Sequence, residues 1–280
     1  MNFFETLFSY FQYEFVRNAF LVTILIAVCA ALVGVTLVLK RLSNIGDGLA
    51  HMAFGAMSIG MIAHITNNMY IVFPVTFIIC FVLLKLKNNG KLKGDSLIAM
   101  LSVFSLALAY FLLNVFKTSN NVAGDICSTL FGSTTILTLS LTDVIVSVVL
   151  CAVTIAIYVI FYNKIFVISF DDNYARASGI KTQIYDVVIS LTIALIVVIA
   201  INLVGSLLVT ALLIFPAVSA MRICNSYKKV IIVSIILSTL NAIIGMLFSI
   251  GLSTPVGASI VLFETITFII CFIIGKIKGN

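Results

Sequence analysis

The sequence of 280 residues is 62% hydrophobic and only 9% charged, with a formal net charge of +6 and a mean hydropathy of +1.26. Soluble chains are about 45–50% apolar and about 25% charged, so the composition excludes a soluble domain, and we expect no nucleic-acid partner. The excess apolar surface must face membrane lipid. We therefore predict an all-α, polytopic helical bundle that forms a single transmembrane domain over residues 1–280.

The first segment, residues 1–16, is rich in Phe and Tyr and has no basic residue before Arg17. A secretory signal would need a positively charged beginning and a small-residue cleavage site. Aromatic side chains are enriched in the headgroup layer of a membrane. We therefore predict an interfacial helix over residues 1–16 that leads into the first span.

Apolar runs along the rest of the chain give nine candidate spans. They cover residues 18–39, 49–65, 70–86, 96–116, 141–163, 187–201, 203–221, 229–251 and 256–275. If the segment after the first span is cytoplasmic, fourteen Lys and Arg residues lie inside and only Arg17 and Lys117 lie outside. This asymmetry predicts about eight or nine transmembrane helices in a bacterial plasma membrane, with the N-terminus outside and the C-terminus inside.

The stretch AINLVGSLL at 200–208 leaves almost no loop between two of these spans. Irregular backbone at membrane depth is tolerated where protein or a cavity surrounds it, so we predict a broken or re-entrant element here. One long bent helix is the alternative. It would invert the topology of all that follows, and the basic cluster at 222–229 argues against it.

Asp47 and His51 form an unusual pair in the stretch SNIGDGLAHMAFG. Residues four apart share a helix face, and the same stripe continues to Gly55 and Ser58. Carboxylate and imidazole are both ligands for divalent transition metals. Alternatively, Asp47 caps a helix that begins near Leu49 and His51 bonds to neighbouring backbone; the spacing alone leaves both interpretations open.

The remaining embedded polar groups have simpler interpretations. Glu264 lies inside the last apolar run and could be a relay carboxylate or a hydrogen-bond partner between helices; we favour the second. We expect His64 to be interfacial. Cys127 lies in the largest outer connection, and neither residue has an assigned metal contact. The sequence contains no P-loop, H-E-x-x-H or G-x-S-x-G motif, so we expect a non-enzymatic subunit without its own nucleotide site.

Five stretches, in order, resemble the permease subunit of bacterial ATP-binding-cassette importers for zinc, manganese or iron. They are RLSNIGDGLAHMAFGAM at 41–57, STLFGSTTILTLSLTDVI at 128–145, FDDNYARASGIKTQIYD at 170–186, NLVGSLLVTALLIFPAVSAMRI at 202–223 and LSTPVGASIVLF at 252–263. The resemblance implies a homodimer with the pathway between two copies, surrounded by membrane lipid. It also implies a cytoplasmic ATP-binding subunit, which uses the ATP, and an extracytoplasmic metal-binding protein.

By the same resemblance, Asp47 and His51 hold a divalent metal ion in transit as substrate, and this chain keeps no cofactor. By this resemblance the stretch GDGLAH favours zinc as the ion, with manganese next. We expect Gly55 and Ser58 to line the pathway, because they continue the same helix stripe.

Coupling to the ATPase is expected at two cytoplasmic places. We predict that Pro216 breaks the seventh span and that residues 216–227 form a short coupling helix. Its expected contact residues are Pro216, Ala217, Ala220, Met221 and Arg222. The inner loop 170–181 is expected beside it, with Asp171, Ala175 and Gly179 at the positions that match the family. An ordinary inner loop is the alternative for residues 216–227.

Two other classes of function remain possible from the residues alone. A secondary metal transporter driven by an ion gradient should show more paired intramembrane charges and inverted repeats. An intramembrane enzyme using Asp47 and His51 as acid and base would need further polar residues on that face. The sequence shows neither pattern, so the importer permease is the favoured interpretation.

Overall fold

The computed structural model describes residues 10–63, 69–86, 94–116 and 139–277. Eleven helices and no strand occur in these ranges. In chain order they are α1 (Glu14–Leu39), α2 (Ile45–Ile62), α3 (Met69–Leu86), α4 (Gly94–Val115), α5 (Leu141–Ile160), α6 (Tyr162–Phe170), α7 (Asp172–Ala177), α8 (Thr182–Val204), α9 (Ser206–Ile223), α10 (Tyr227–Leu252) and α11 (Val256–Ile277). The all-α prediction is confirmed.

Eight of these helices are long and apolar enough to cross a membrane: α1, α2, α4, α5 and α8–α11. The α3 helix has a shorter apolar stretch, Tyr70–Leu83. The predicted count of eight or nine spans is therefore confirmed. Large hydrophobic side chains on α4, α5 and α11 point away from the bundle, as expected for helices whose outer surfaces contact lipid.

The α1 helix lies at the centre of the bundle and packs against α5, α8, α9 and α10. Its middle is lined by small residues. At Gly34 an added Cβ would lie 1.9 Å from the carbonyl oxygen of Leu213 in α9. Without a hydrophobic driving force between helices in lipid, such close backbone approach is a main source of packing energy.

The chain reverses direction at Gly205, the single residue between α8 and α9, which has φ of 91° and ψ of 155°. Glycine adopts this backbone without a Cβ penalty. Asp186 in α8 pairs with Lys40 at the end of α1, while Leu213 in α9 packs on Gly34. The two contacts on α1, at Gly34 and Lys40, are therefore only about 9 Å apart along the helix. If α8 and α9 were one continuous helix, their partners Leu213 and Asp186 would be about 40 Å apart, which these contacts do not allow.

The residues around Gly205 therefore form a broken element between two antiparallel spans, as predicted. The alternative of one long bent helix is wrong. The backbone of Gly205 is hydrogen-bonded on both sides of the turn. Its N–H donates to the Ile201 carbonyl, and its carbonyl accepts from the Val209 N–H. The turn can therefore lie within the membrane, because its polar backbone groups are satisfied.

The prediction of a separate helix over residues 216–227 is wrong. Pro216 lies inside α9, which continues to Ile223, and residues 224–226 are not helical before α10 begins at Tyr227. A proline removes one backbone donor and crowds the preceding turn, yet the neighbouring helices hold this helix together at Pro216.

The N-terminal prediction is only partly open to comparison, because residues 1–9 lie outside the described part of the chain. Tyr10 and Phe11 are helical and a turn follows them. Residues 14–16 belong to α1, contrary to the prediction that they end a separate interfacial helix. Glu14 stands in the first turn of α1, where a carboxylate is favoured by the helix dipole.

Candidate metal centre

Asp47 and His51 occupy the first two turns of α2 and project from the same face. His51 Nε2 lies 3.6 Å from Asp47 Oδ1, which is too long for a hydrogen bond. The Asp47 side chain is 61% exposed on the subunit surface, and the His51 side chain is 20% exposed. The pair is therefore close enough to share one ligand and is not closed by a mutual bond.

The pair lies at membrane depth. Gly46, immediately before Asp47, packs against the side chains of Leu213 and Thr210 in α9. These residues lie about 14 and 18 Å along α9 from Arg222, at the inner end of that helix. Asp47 therefore stands well above the cytoplasmic end of the bundle, and His51 lies a further turn along α2.

The capping interpretation of Asp47 is wrong. The α2 helix begins at Ile45 with Asn44 as N-cap, so Asp47 is the third residue of the helix and not its cap. The Asn44 side chain itself makes no capping hydrogen bond among the described residues. The suggested backbone bond of His51 is also not seen: Nδ1 is buried and has no hydrogen-bond partner among the residues that the structure describes. Within the described ranges, both side chains therefore keep ligand atoms without a hydrogen-bond partner.

Carboxylate and imidazole can together bind a divalent transition metal, with water completing the coordination. In the part of the chain that the structure describes, no group of three His, Cys, Asp or Glu side chains could hold a metal ion. One subunit thus offers a two-ligand arrangement. Such a set is suited to brief binding and release, unlike the four protein ligands of a structural zinc site.

Gly55 and Ser58 share α2 with this pair but are buried. A Cβ at Gly55 would lie 2.1 Å from Ser105 Oγ in α4. The Ser58 hydroxyl is fully buried and donates to the Gly55 carbonyl. Gly55 thus serves contact between α2 and α4, and the Ser58 hydroxyl bonds within α2. Both residues are covered inside one subunit, which argues against their predicted place on the pathway surface.

Glu264 is fully buried between α10 and α11. Its Oε2 accepts a hydrogen bond from Asn241 Nδ2 at 3.0 Å, and Asn241 Oδ1 accepts from the Thr267 hydroxyl at 2.9 Å. The other carboxyl oxygen, Oε1, has no hydrogen-bond partner in the described part of the chain. The predicted role as an interhelical hydrogen-bond partner is confirmed. His64 and Cys127 lie outside the described residues.

The inner loop 170–181 folds into a compact exposed element around α7. Asp171 caps α7 by accepting hydrogen bonds from the backbone N–H groups of Asn173 and Tyr174 at 2.9 and 3.0 Å. Ala175 is fully buried and Gly179 has φ of 79° in the following turn. The three positions that matched the family thus belong to one short helix: Asp171 caps its start, Ala175 packs it against the bundle, and Gly179 lies in the turn after its end.

Residues 216–222 present much less surface. Pro216, Ala217 and Ala220 are buried, and Met221 is half-buried. Only Arg222 is exposed; its guanidinium carbon lies 5.1 Å from the centre of the Phe272 ring. The structure instead presents Tyr174 on α7, 63% exposed, which the sequence reasoning missed. The sequence did contain a signal for such a contact residue, because Tyr174 is an aromatic residue within a charged inner loop.

Three comparisons with known proteins identify the family and the fold of this chain. Residues 12–275 match the ABC 3 transport family. The manganese import system permease protein ScaB of Streptococcus gordonii is 28% identical over 265 residues, which cover 94% of this chain and 92% of ScaB. The manganese transport system membrane protein MntC of Listeria monocytogenes is 27% identical over 270 residues, or 96% of this chain and 93% of MntC.

Among solved structures, PsaBC from Streptococcus pneumoniae in complex with Fab has a TM-score of 0.81 and 26% sequence identity. The likeness covers 96% of this chain and 94% of that one. The predicted resemblance is thus confirmed, whereas the leaning toward zinc is not confirmed by the names of these relatives. The chain forms a helical membrane bundle, and its residues 12–275 match the family as a whole; the chain therefore belongs to the ABC 3 transport family.

Proposed function

We propose that this permease carries a divalent transition metal ion inward across the plasma membrane, with manganese favoured and zinc second. The observation that supports this most directly is the Asp47–His51 pair, which lies at membrane depth with ligand atoms that bond to no other described residue. Ionisable side chains at such depth are costly and mark ion pathways more often than lipid contacts.

The chemistry of the pair fits transit of an ion. A divalent ion cannot enter hydrocarbon without replacing part of its water shell by fixed ligands. Asp47 offers a hard oxygen ligand and His51 an imidazole nitrogen, a combination that both manganese and zinc accept. Because Asp47 is largely exposed, water can complete an octahedral shell, which favours manganese, as do the names of ScaB and MntC.

The exposed face of α2 is incomplete as a pathway in a single subunit. We propose that a second copy of the chain packs opposite this face, so that the two copies enclose a seam lined by one Asp47–His51 pair from each. An extracytoplasmic binding protein delivers the ion at the outer end. A cytoplasmic ATPase drives the change of access at the inner end.

The inner element around α7 is the proposed contact for the ATPase, because it combines an exposed aromatic side chain with a rigid base. Asp171 fixes the start of α7, and the Arg176–Asp172 ion pair of 2.8 Å ties its two ends together. Buried Ala175 connects this helix to the bundle. A push on Tyr174 is thereby transmitted to the membrane helices.

Uptake by the assembled transporter tests the proposal. The chain, its ATPase and its binding protein are reconstituted in lipid vesicles, and manganese uptake is measured for Asp47→Asn and His51→Gln. We expect uptake to fall by about tenfold or more, as losses around metal ligands commonly do, while each complex still hydrolyses ATP. Wild-type uptake by both variants would exclude the pair as transit ligands.

Asp143→Asn is the matched control. Asp143 is the third residue of α5, and its Oδ2 accepts from the backbone N–H and the hydroxyl of Ser140; an Asn side-chain oxygen can accept the same bonds. The same vesicles distinguish the alternative of a gradient-driven secondary transporter. Uptake by the permease alone, without the ATPase and ATP, would favour that alternative. Uptake that requires both supports the importer.

A further inference from the structure

A groove of about 460 Å³ lies on the exposed side surface of the bundle between α5 and α10. Its apolar walls are Val159 from α5, and Ile231 and Ile232 from α10, with Leu32 of α1 as the floor. Val159 is 70% exposed and Ile232 is 48% exposed. On a membrane-spanning bundle, exposed aliphatic side chains at this position contact acyl chains.

One end of the groove is polar and basic. Lys228, the second residue of α10, lines it together with Tyr162 and Asn163 at the start of α6. Lys228 is exposed, and none of the ion pairs found among the described residues includes it. This end belongs to the inner side of the bundle, where the positive-inside pattern places Lys228. The groove therefore has, at its inner mouth, a cation without an ion pair to any described residue, and hydrocarbon-facing walls above it.

We propose that this groove binds one anionic phospholipid of the inner leaflet. An acyl chain lies along Val159 and Ile232, and the headgroup phosphate binds the Lys228 ammonium and the Asn163 side-chain amide. Basic pockets between membrane helices on the cytoplasmic side are suited to anionic headgroups, because the inner leaflet supplies them at high local concentration. The long lysine side chain can keep its stem on the apolar wall while its ammonium group reaches the phosphate.

The groove is separate from the candidate metal centre. Asp47 and His51 lie on α2, which packs against α3, α4 and α9, whereas the groove is formed by α1, α5, α6 and α10. A lipid there would bridge α5 to α10. It would also hold α6, which continues into the exposed α7 through Asp171, so we expect it to stabilise the inner end of the bundle.

Thermal unfolding of the full-length chain in detergent tests the proposal. Phosphatidylglycerol should raise the midpoint by about 2–4 °C more than phosphatidylcholine, as binding to the folded state alone requires. Lys228→Gln should remove this difference. Lys229→Gln is the matched control: it removes an exposed charge from the next position, which does not line the groove, and should keep the difference.

A second variant separates the acyl groove from diffuse charge attraction. Val159→Trp should fill the groove and reduce the effect of phosphatidylglycerol without a change in charge, and native mass spectrometry should then show one fewer retained lipid per subunit. An equal loss in Lys229→Gln, no loss in Lys228→Gln, or full stabilisation by glycerol phosphate without acyl chains would each overturn the proposal. So would displacement of the lipid when the ATPase subunit binds, because protein would then cover this surface.

Discussion

Lys40 and Asp186 form an ion pair of 2.7 Å that joins the inner end of α1 to the first turns of α8. The two side chains are only 9% and 12% exposed, and they come from positions 146 residues apart in the sequence. The Asp186 side chain therefore links α8 to α1. The pair fixes the level at which α8 begins, and so the depth at which the chain turns at Gly205.

Removing one partner of this pair should be strongly destabilising. Lys40→Met leaves the Asp186 carboxylate buried without a counter-ion, and loss of one member of a buried pair costs about 3–5 kcal/mol. Asp186→Leu should cost a similar amount. The double variant should be more stable than either single variant, because no uncompensated charge remains. The midpoint of thermal unfolding in detergent measures each effect.

The Arg176–Asp172 pair on α7 provides the comparison: its bond length of 2.8 Å is nearly the same, but its side chains are more exposed, at 48% and 25%. Asp172→Asn should change stability by less than about 1 kcal/mol, as is usual for surface pairs. If Lys40→Met lowered stability as little as Asp172→Asn, burial of the Lys40–Asp186 pair would not determine its contribution to stability.

The sequence could predict the features that depend on local composition. Apolar length defined the spans, and the four-residue spacing of Asp47 and His51 placed both on one helix face. It could not predict the Lys40–Asp186 pair, because a contact between distant segments leaves no local pattern. Pro216 was misread for the same reason: a proline breaks an isolated helix, but tertiary packing holds α9 together, and only the fold reveals that packing.

Glu264 should contribute through its hydrogen bond more than through its charge. Glu264→Gln keeps an oxygen that can accept from Asn241 Nδ2, so stability and metal uptake should stay close to the wild type. Glu264→Ala removes the acceptor and leaves the Asn241 amide buried without a partner, at a cost of about 1–3 kcal/mol. Unfolding midpoints and vesicle uptake should be measured for both variants. A folded Glu264→Gln protein that no longer transports metal would instead assign the carboxyl proton a role in transport.

Gly34 should tolerate no side chain. In Gly34→Ala, the new Cβ would meet the Leu213 carbonyl oxygen at 1.9 Å, so α1 and α9 would have to move apart. Overpacking of this kind costs about 1–3 kcal/mol, and we expect a lower unfolding midpoint in detergent. Ala156→Ser also adds a single heavy atom, on the exposed surface of α5, and should have little effect. Equal behaviour of the two variants would contradict the close contact between α1 and α9.

Contact with the ATPase should map to α7 and not to the buried part of α9. In a background without native cysteines, Tyr174→Cys should crosslink to cysteines on the facing surface of the ATPase subunit, because Tyr174 is highly exposed. Ala220→Cys should not crosslink, because Ala220 is fully buried. Tyr174→Ala should lower ATP-driven uptake without lowering the unfolding midpoint, since few contacts within the subunit are lost. Crosslinking at position 220 but not at 174 would return the contact to the end of α9, and would require that helix to open when the ATPase binds.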